Sequence, residues 1–439
     1  MARERRYDVV VVGGGTAGLI AAISSARMGA ATLLVEQKDY LGGLAAIGMT
    51  IGGFLDRDGN QVIGGIPREF AERVVARGGG LGYVMAGTED RWISSVLSLD
   101  PEWVKQVAFE MTAESGCKLL LRTTFVGALV EGSQVKGVDV VCAGEKVRIY
   151  AGAIVDATGN ADVAASAGAE IMKGDEKGGH QSVTSIFRVS NVKIERFVDY
   201  MNTVINTEGK DAWHIENAAC RGSWRYWLPW RDVPDVKLPD TCGIYFHGNE
   251  GDIFINSTHV EVDPLNPDDL SWAAVELRGQ AVKITEFLKS KIPGFEKAYL
   301  SNVYEVGVRD SRRVVGDYVL TLEDLKTGRH FDDVVAKGAY PPDVHKSYGD
   351  VQINKEDNVA YEIPYRALVA KGFDNLLVAG RCISATFMAA AGLRGMGPCM
   401  STGQAAGTAA ALSTCMGTMP RALSVPELQR SLRENGVII

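Results

Sequence analysis

A chain of 439 residues, 46% hydrophobic and 23% charged, is long enough to bury a large core and to divide into two domains. A formal net charge of -8 excludes the basic surface that nucleic acid or an anionic membrane would require. Seven cysteines without a Cys-x-x-Cys pair lack the ligand spacing of iron–sulfur and zinc sites, so no metal is expected.

The chain runs from a short basic N-terminus straight into an apolar strand at 7–12, with no signal region between. The small-apolar stretch 405–416 is far too short to span a bilayer. A reduced, cytoplasmic, soluble protein is the expectation. A helix at 16–28 and a second strand at 32–35 open a βαβ unit. A helix follows at 101–115, with Pro101 at an early position, and then strands near 119–122, 125–131, 136–141, 146–150 and 153–156.

Between about 180 and 300 the composition shifts toward aromatics, Asp and Pro, including the tract Trp224-Arg225-Tyr226-Trp227-Leu228-Pro229-Trp230. Strands at 244–247 and 252–255 flank Gly248-Asn249-Glu250-Gly251 and form a hairpin. An amphipathic helix at 271–291 is closed by Pro293-Gly294. From about Val303 the glycine-rich style returns and lasts to about 411. The fold class expected is α/β. A discontinuous Rossmann-like cofactor domain (1–170 and 303–439) would carry an inserted α+β substrate domain (171–302).

Gly13-x-Gly15-x-x-Gly18 follows the first strand and opens the first helix. There glycines permit a tight turn, close approach of a pyrophosphate and helix–strand packing, and the helix N-terminus faces the negative charge. Glu36 ends the second strand, placed to accept hydrogen bonds from ribose hydroxyls. Beyond Glu36 the glycine-rich stretch 41–43 replaces a clear amphipathic helix leading to a third strand, which favours FAD over NAD. Two apolar strands ending in small-residue turns, at 154–159 and 375–381, have the character of flavin contacts. The Ala- and Gly-dense helix at 399–412, preceded by Gly397-Pro398, could aim its N-terminus at a flavin ring.

Several segments together resemble the FAD-dependent oxidoreductase family with a glutathione-reductase-like FAD fold, near the fumarate-reductase-like flavoproteins. They are 10–18 with Leu41-Gly42-Gly43, the 155–159 turn, 307–313, Ile363-Pro364-Tyr365-Arg366, and 378–381 with 403–407. The resemblance implies an FAD site at Gly13, Gly15, Thr16, Ala17, Gly18, Glu36 and Gln37, continued by Gly42, Gly43, Leu44 and Val126. It extends to Ala157, Thr158 and Gly159, then to Gly380, Arg381, Gly397 and Met400. Where many relatives carry a His-Glu pair, this chain has Phe387-Met388, so a titratable pair near the flavin is missing.

Arg309, Arg312 and Arg313 cluster around Asp310, and Arg394 lies in a glycine-rich loop that the resemblance places beside the flavin. Guanidinium groups suit an anionic substrate, although the Arg309 cluster reads first as a structural ion-pair network. His259 falls in strand alternation with Ile253, Ile255 and Ser257, as a general acid or base or as a satisfied structural histidine. Arg394, His259 and Arg309 are therefore the candidate catalytic residues. Cys382 and Cys399 read as packing residues, since neither has a resolving partner nearby.

The function expected is an FAD-dependent dehydrogenase or reductase passing hydride between flavin N5 and a small organic substrate. A flavin monooxygenase or oxidase, or an FAD-bearing electron-transfer subunit, stays open beside it. Gly78-Gly79-Gly80-Leu81-Gly82 follows a helix and is no second nucleotide fingerprint. A separate electron donor or acceptor, or use of the flavin site by substrate and product in turn, is therefore expected; a homo-oligomer is a further expectation, without a nucleic-acid or membrane partner.

Overall fold

The computed structural model describes residues 3–85, 94–208, 223–226, 242–245, 251–346, 351–352 and 360–439. Within them the fold is α/β, built on a seven-stranded sheet. Strand Arg3–Val12 lies at its centre because Val9, Val10, Val11 and Val12 are buried on both faces. It pairs in parallel with Thr32–Val35 on one side and with Glu145–Asp156 on the other. Lys118–Leu120 adds a further parallel strand beyond Thr32–Val35.

Two expected strands at 146–150 and 153–156 are one strand of 12 residues, Glu145–Asp156. Gly152 does not break it, because the register against the first strand runs through Tyr7↔Ala151 and Val9↔Ala153. Its first half pairs antiparallel with Gln134–Cys142, and its end pairs parallel with Leu376–Val378. The chain segment after residue 370 is thus sewn into the sheet begun at the N-terminus.

Helix Thr16–Arg27 and helix Pro101–Ser115 stand as expected; the second is capped by the Asp100 carboxylate and has Pro at its first position. The helix expected before Gly78 is Gly65–Ala76, which buries Ile66, Phe70, Ala71 and Val74. Arg394, expected in a glycine-rich loop, directly follows a short helix, Phe387–Leu393, capped by the Thr386 hydroxyl. Small side chains there serve burial, with Ala389, Ala390 and Ala391 all inside.

A second sheet of five strands takes its members from between 184 and 307, in the order Ser223–Tyr226, Cys242–Tyr245, Ile253–Asn256, Thr184–Ser190, Tyr299–Gly307. The boundary expected at residue 302 falls inside the last of these. The hairpin partners pair in the register Ile244↔Ile255, while its turn and residues 227–230 of the aromatic tract lie outside the described residues. Helix Pro267–Lys291 covers this sheet and starts four residues earlier than expected, with Asn266 as cap and Pro267 at the first position. No helix among the described residues is long and apolar enough to cross a membrane.

The contact that orients everything else joins Thr16–Arg27 to the long helix Met396–Cys415. A Cβ on Gly403 would lie 2.2 Å from the Ala17 carbonyl oxygen, and one on Gly407 would lie 2.1 Å from that of Ala21. Only glycine permits so close an approach. Ser24 and Thr408 add a buried hydroxyl pair at 2.8 Å. Gly407→Val should overpack this seam and lower the unfolding free energy by about 2–3 kcal/mol. Urea denaturation of the purified variant measures it, and an unchanged midpoint would show that the helices do not meet there.

Candidate active site

A cleft of about 790 Å³ opens along the carboxyl ends of the parallel strands and reaches the second sheet, which contributes Thr184, Ile186 and Asn256 to its wall. Ligands of α/β sheets bind at this edge. Gly13, Gly15, Thr16 and Ala17 line one end, where the first strand turns into helix Thr16–Arg27. That helix has Gly15 at its N-cap, no side-chain cap and no acidic residue in its first turn. Its first amides therefore lack a side-chain acceptor, which leaves them for an anion. Helix Met396–Cys415 begins in the same uncapped way behind Gly395, and Met396 and Cys399 face the cleft.

Glu36 is buried at the end of its strand. Its carboxylate accepts from the backbone amides of Gly14 and Lys38, which fixes its orientation and leaves lone pairs for hydroxyl donors. Gln37, Gly43, Leu44 and Val126 continue the wall. Lys38 and Tyr40 both donate to Glu305, closing the rim between the two sheets. Burial, reinforced by the Glu305 hydrogen bond, raises the Tyr40 phenol well above its ordinary value, so it stays a donor.

The turn Ala157-Thr158-Gly159 lies opposite, held from beneath by Asp156. That buried carboxylate accepts from the Thr158 amide and hydroxyl and from the Ala164 amide. Gly380 and Arg381 meet this turn from the last strand of the sheet. Arg381 donates to the Ser311 hydroxyl at 2.7 Å and the Asn160 side-chain oxygen at 2.8 Å. No carboxylate hydrogen-bonds to it among the described residues. Burial lowers its pKa from the ordinary arginine value, although the Asp310 charge favours its charged form.

Arg394 follows the short helix, directly before Gly395, and lines the cleft. One nitrogen donates to the Asp343 carbonyl at 2.6 Å, with that residue's carboxylate at 3.9 Å. Its Nε is buried without a hydrogen-bond partner among the described residues. Arg309 also lines the cleft and donates to the Ser182 carbonyl at 2.8 Å. The cluster around Asp310 is divided. Arg313 forms a buried ion pair with Asp310 at 2.6 Å, whereas Arg312 turns to the cleft and pairs with Asp162 at 3.0 Å.

Other expected residues stand back from the cleft. Gly18 packs on the Gly13 carbonyl, Gly42 sits behind Gly43 against Val104, Gly397 abuts the Gly52 carbonyl, and Met400 is fully buried. His259 does not line the cleft. Its Nε2 meets the Ser182 hydroxyl at 2.8 Å, and the carbonyl of the same Ser182 accepts from Arg309. Sequence reasoning missed Asn160 and Asp162, although both follow directly on the Thr158-Gly159 turn. It also missed Tyr40, Glu305 and Asp343, whose partners lie far away in sequence.

The profile of the FAD dependent oxidoreductase family matches residues 8–432. The chain belongs to that family. It is a flavoenzyme with FAD as cofactor. Digeranylgeranylglycerophospholipid reductase 1 of Methanococcoides burtonii is 25% identical over 197 residues, 44% of this chain and 46% of that protein. The chain thus spans less than half the length of the curated relatives it matches. A geranylgeranyl bacteriochlorophyll reductase-like protein of Thermoplasma acidophilum shares the fold, with a TM-score of 0.50 and 13% identity over 98% of this chain and 83% of the other. The flavin-dependent brominase Bmp2 does so at a TM-score of 0.51, with 13% identity and the same two coverages.

The residues present fit such a cofactor. A Cβ built on Gly15 meets nothing within 4 Å, so the space above it is open cleft and not protein. Gly15→Val should therefore fold normally, since its φ of -65° is ordinary, while filling room that a pyrophosphate needs. The purified variant should be colourless with an unchanged circular dichroism spectrum. A yellow variant with full FAD content would show that the cofactor does not lie over this turn.

Proposed function

We propose that this flavoenzyme transfers hydride between FAD and a small organic anion held at the Arg394 end of the cleft. The observation that carries the reading is the set of arginines on one wall. Arg381 hydrogen-bonds only to the neutral Ser311 and Asn160 among the described residues, with the Asp310 charge acting on it from farther off, and Arg394 keeps an unused buried Nε–H. A desolvated guanidinium with a free donor binds a carboxylate far better than a neutral group. Arg309 and the second sheet would complete the substrate's enclosure, and residues 171–302 would supply most of it.

The turn at Gly13–Gly18, the Glu36 carboxylate and the turn at Ala157–Gly159 would hold the adenosine diphosphate half of FAD. Gly380, Arg381 and the amino end of Met396–Cys415 would hold its flavin half. When bound, FAD supplies a two-electron acceptor or donor at N5. The chain's own residues supply charge and exclusion of water. The uncapped amino end of Met396–Cys415 favours negative charge that develops beside it. Arg394 orients the substrate anion, and the Asp343 carbonyl fixes the guanidinium.

Phe387 occupies the place where many relatives have a titratable residue. Arg313 and Lys346 lie over its ring at 5.8 and 5.2 Å. Proton transfer is thus left to a group other than that pair. Cys399 lines the cleft, but burial pushes its thiol up to about 12, so it remains protonated at neutral pH. A separate electron donor or acceptor and a cytoplasmic setting belong to the same proposal. The free thiols Cys117, Cys142, Cys382, Cys399 and Cys415 agree with a reducing compartment.

Arg394→Met should cost about 2–4 kcal/mol in kcat/KM for anionic substrates while FAD stays bound. Substrates are found by anaerobic bleaching of the flavin absorbance with small carboxylates, alcohols and amines. Unchanged kcat/KM would make the arginine structural. Oxygen consumed in step with substrate would mark an oxidase or monooxygenase instead.

A further inference from the structure

The Asp343 carboxylate stands 3.9 Å from Arg394, yet the hydrogen bond between these residues, at 2.6 Å, goes to the Asp343 backbone carbonyl. A carboxylate and a guanidinium this near ordinarily close to about 2.8 Å and share two parallel hydrogen bonds. Arg394 has a donor to offer, because its Nε is buried without a hydrogen-bond partner among the described residues. Something therefore holds the carboxylate back.

The restraint lies on the carboxylate's other side. His345 follows the short strand Asp343–Val344, and its Nε2 is 2.9 Å from Oδ2 of Asp343, the same oxygen that stops short of Arg394. An ionised carboxylate only accepts, so this nitrogen carries the hydrogen. The Tyr340 hydroxyl adds a longer contact to that oxygen, at 3.4 Å. His345 is itself fixed at the backbone. Its amide donates to the Gln181 side-chain oxygen at 3.3 Å, and its carbonyl accepts from the Ser182 amide at 3.0 Å. The Ser182 carbonyl in turn accepts from Arg309 at 2.8 Å. The two cleft arginines are thus tied to one frame, with the imidazole between them.

We propose that His345 is a positioning residue: it holds the Asp343 carboxylate away from Arg394 and so keeps that guanidinium available to the substrate anion, which rests on Arg394 being the anchor proposed above. Without the imidazole the carboxylate would swing onto Arg394 and compete with the substrate. Asp343 therefore has two separable effects. Its carbonyl orients the guanidinium, and its carboxylate is an internal rival that His345 restrains.

The test titrates acetate, with acetamide as the uncharged control, into the oxidised FAD-loaded enzyme and follows the flavin absorbance, so no turnover is needed. His345→Leu should raise the acetate Kd by about tenfold, the weight of one hydrogen bond to a charged group. His345→Asn, whose amide is too short to reach Asp343, should do the same. His345→Gln, which can reach it, should stay near the wild type. Removing the carboxylate as well, in the His345→Leu/Asp343→Asn double variant, should bring the affinity back, because the carbonyl that orients Arg394 remains. A crystal structure of His345→Leu should show the Asp343 carboxylate hydrogen-bonded to Arg394. Acetate binding lost in Arg394→Met but unchanged in His345→Leu would overturn the proposal, as would a double variant no tighter than His345→Leu. Acetate bound equally well by Arg394→Met would instead remove the anchor, and the role of His345 with it.

Discussion

The architecture depends on how closely two helices approach. Gly403 and Gly407 bring Met396–Cys415 against the backbone of Ala17 and Ala21, nearer than any side chain would allow. Residue 403 meets 17 and residue 407 meets 21, so the helices run parallel. The second begins six residues before the level at which the first starts, an offset of about 9 Å. Two uncapped amino ends are thereby staggered along one cleft, as a cofactor with a pyrophosphate at one end and a redox ring at the other requires. Looser packing would splay the ends and divide the cleft.

Electrostatics sharpens the contrast between the cleft and the rest of the chain. The formal net charge is -8, yet Arg309, Arg312, Arg381 and Arg394 all line one cavity, and few carboxylates answer them there. Arg312 has Asp162 at 3.0 Å, and Arg394 has Asp343 at 3.9 Å. Burial opposes charge on Arg381, so an anion arriving beside it would recover solvation the guanidinium has lost. The cationic cleft therefore receives anions without making the whole surface basic.

The cofactor half of the molecule was legible because its signals are local. A buried valine run, a glycine turn and an acid at the next strand end occupy fewer than forty consecutive residues, and the structure places them as the pattern implies. Long-range relations were not legible. Gly152 reads as a strand break until the partner strand is seen to bridge it. Arg394 reads as a loop residue, because nothing local reveals that Thr386 caps a helix ending just before it. His259 is expected to continue the alternation of Ile253, Ile255 and Ser257, but the strand ends at Asn256. Phe254 and Thr258 are buried as well, and His259 meets Ser182 away from the cleft. Asp343, which holds Arg394, gave no signal, since 51 residues separate the pair.

The most direct test of the account is a crystal structure of the enzyme loaded with FAD and soaked with a small carboxylate. The account predicts the pyrophosphate at the uncapped amino end of Thr16–Arg27, the flavin ring at that of Met396–Cys415, and the carboxylate within hydrogen-bond reach of Arg394. A flavin lying elsewhere in the cleft, or a carboxylate bound away from Arg394, would contradict it.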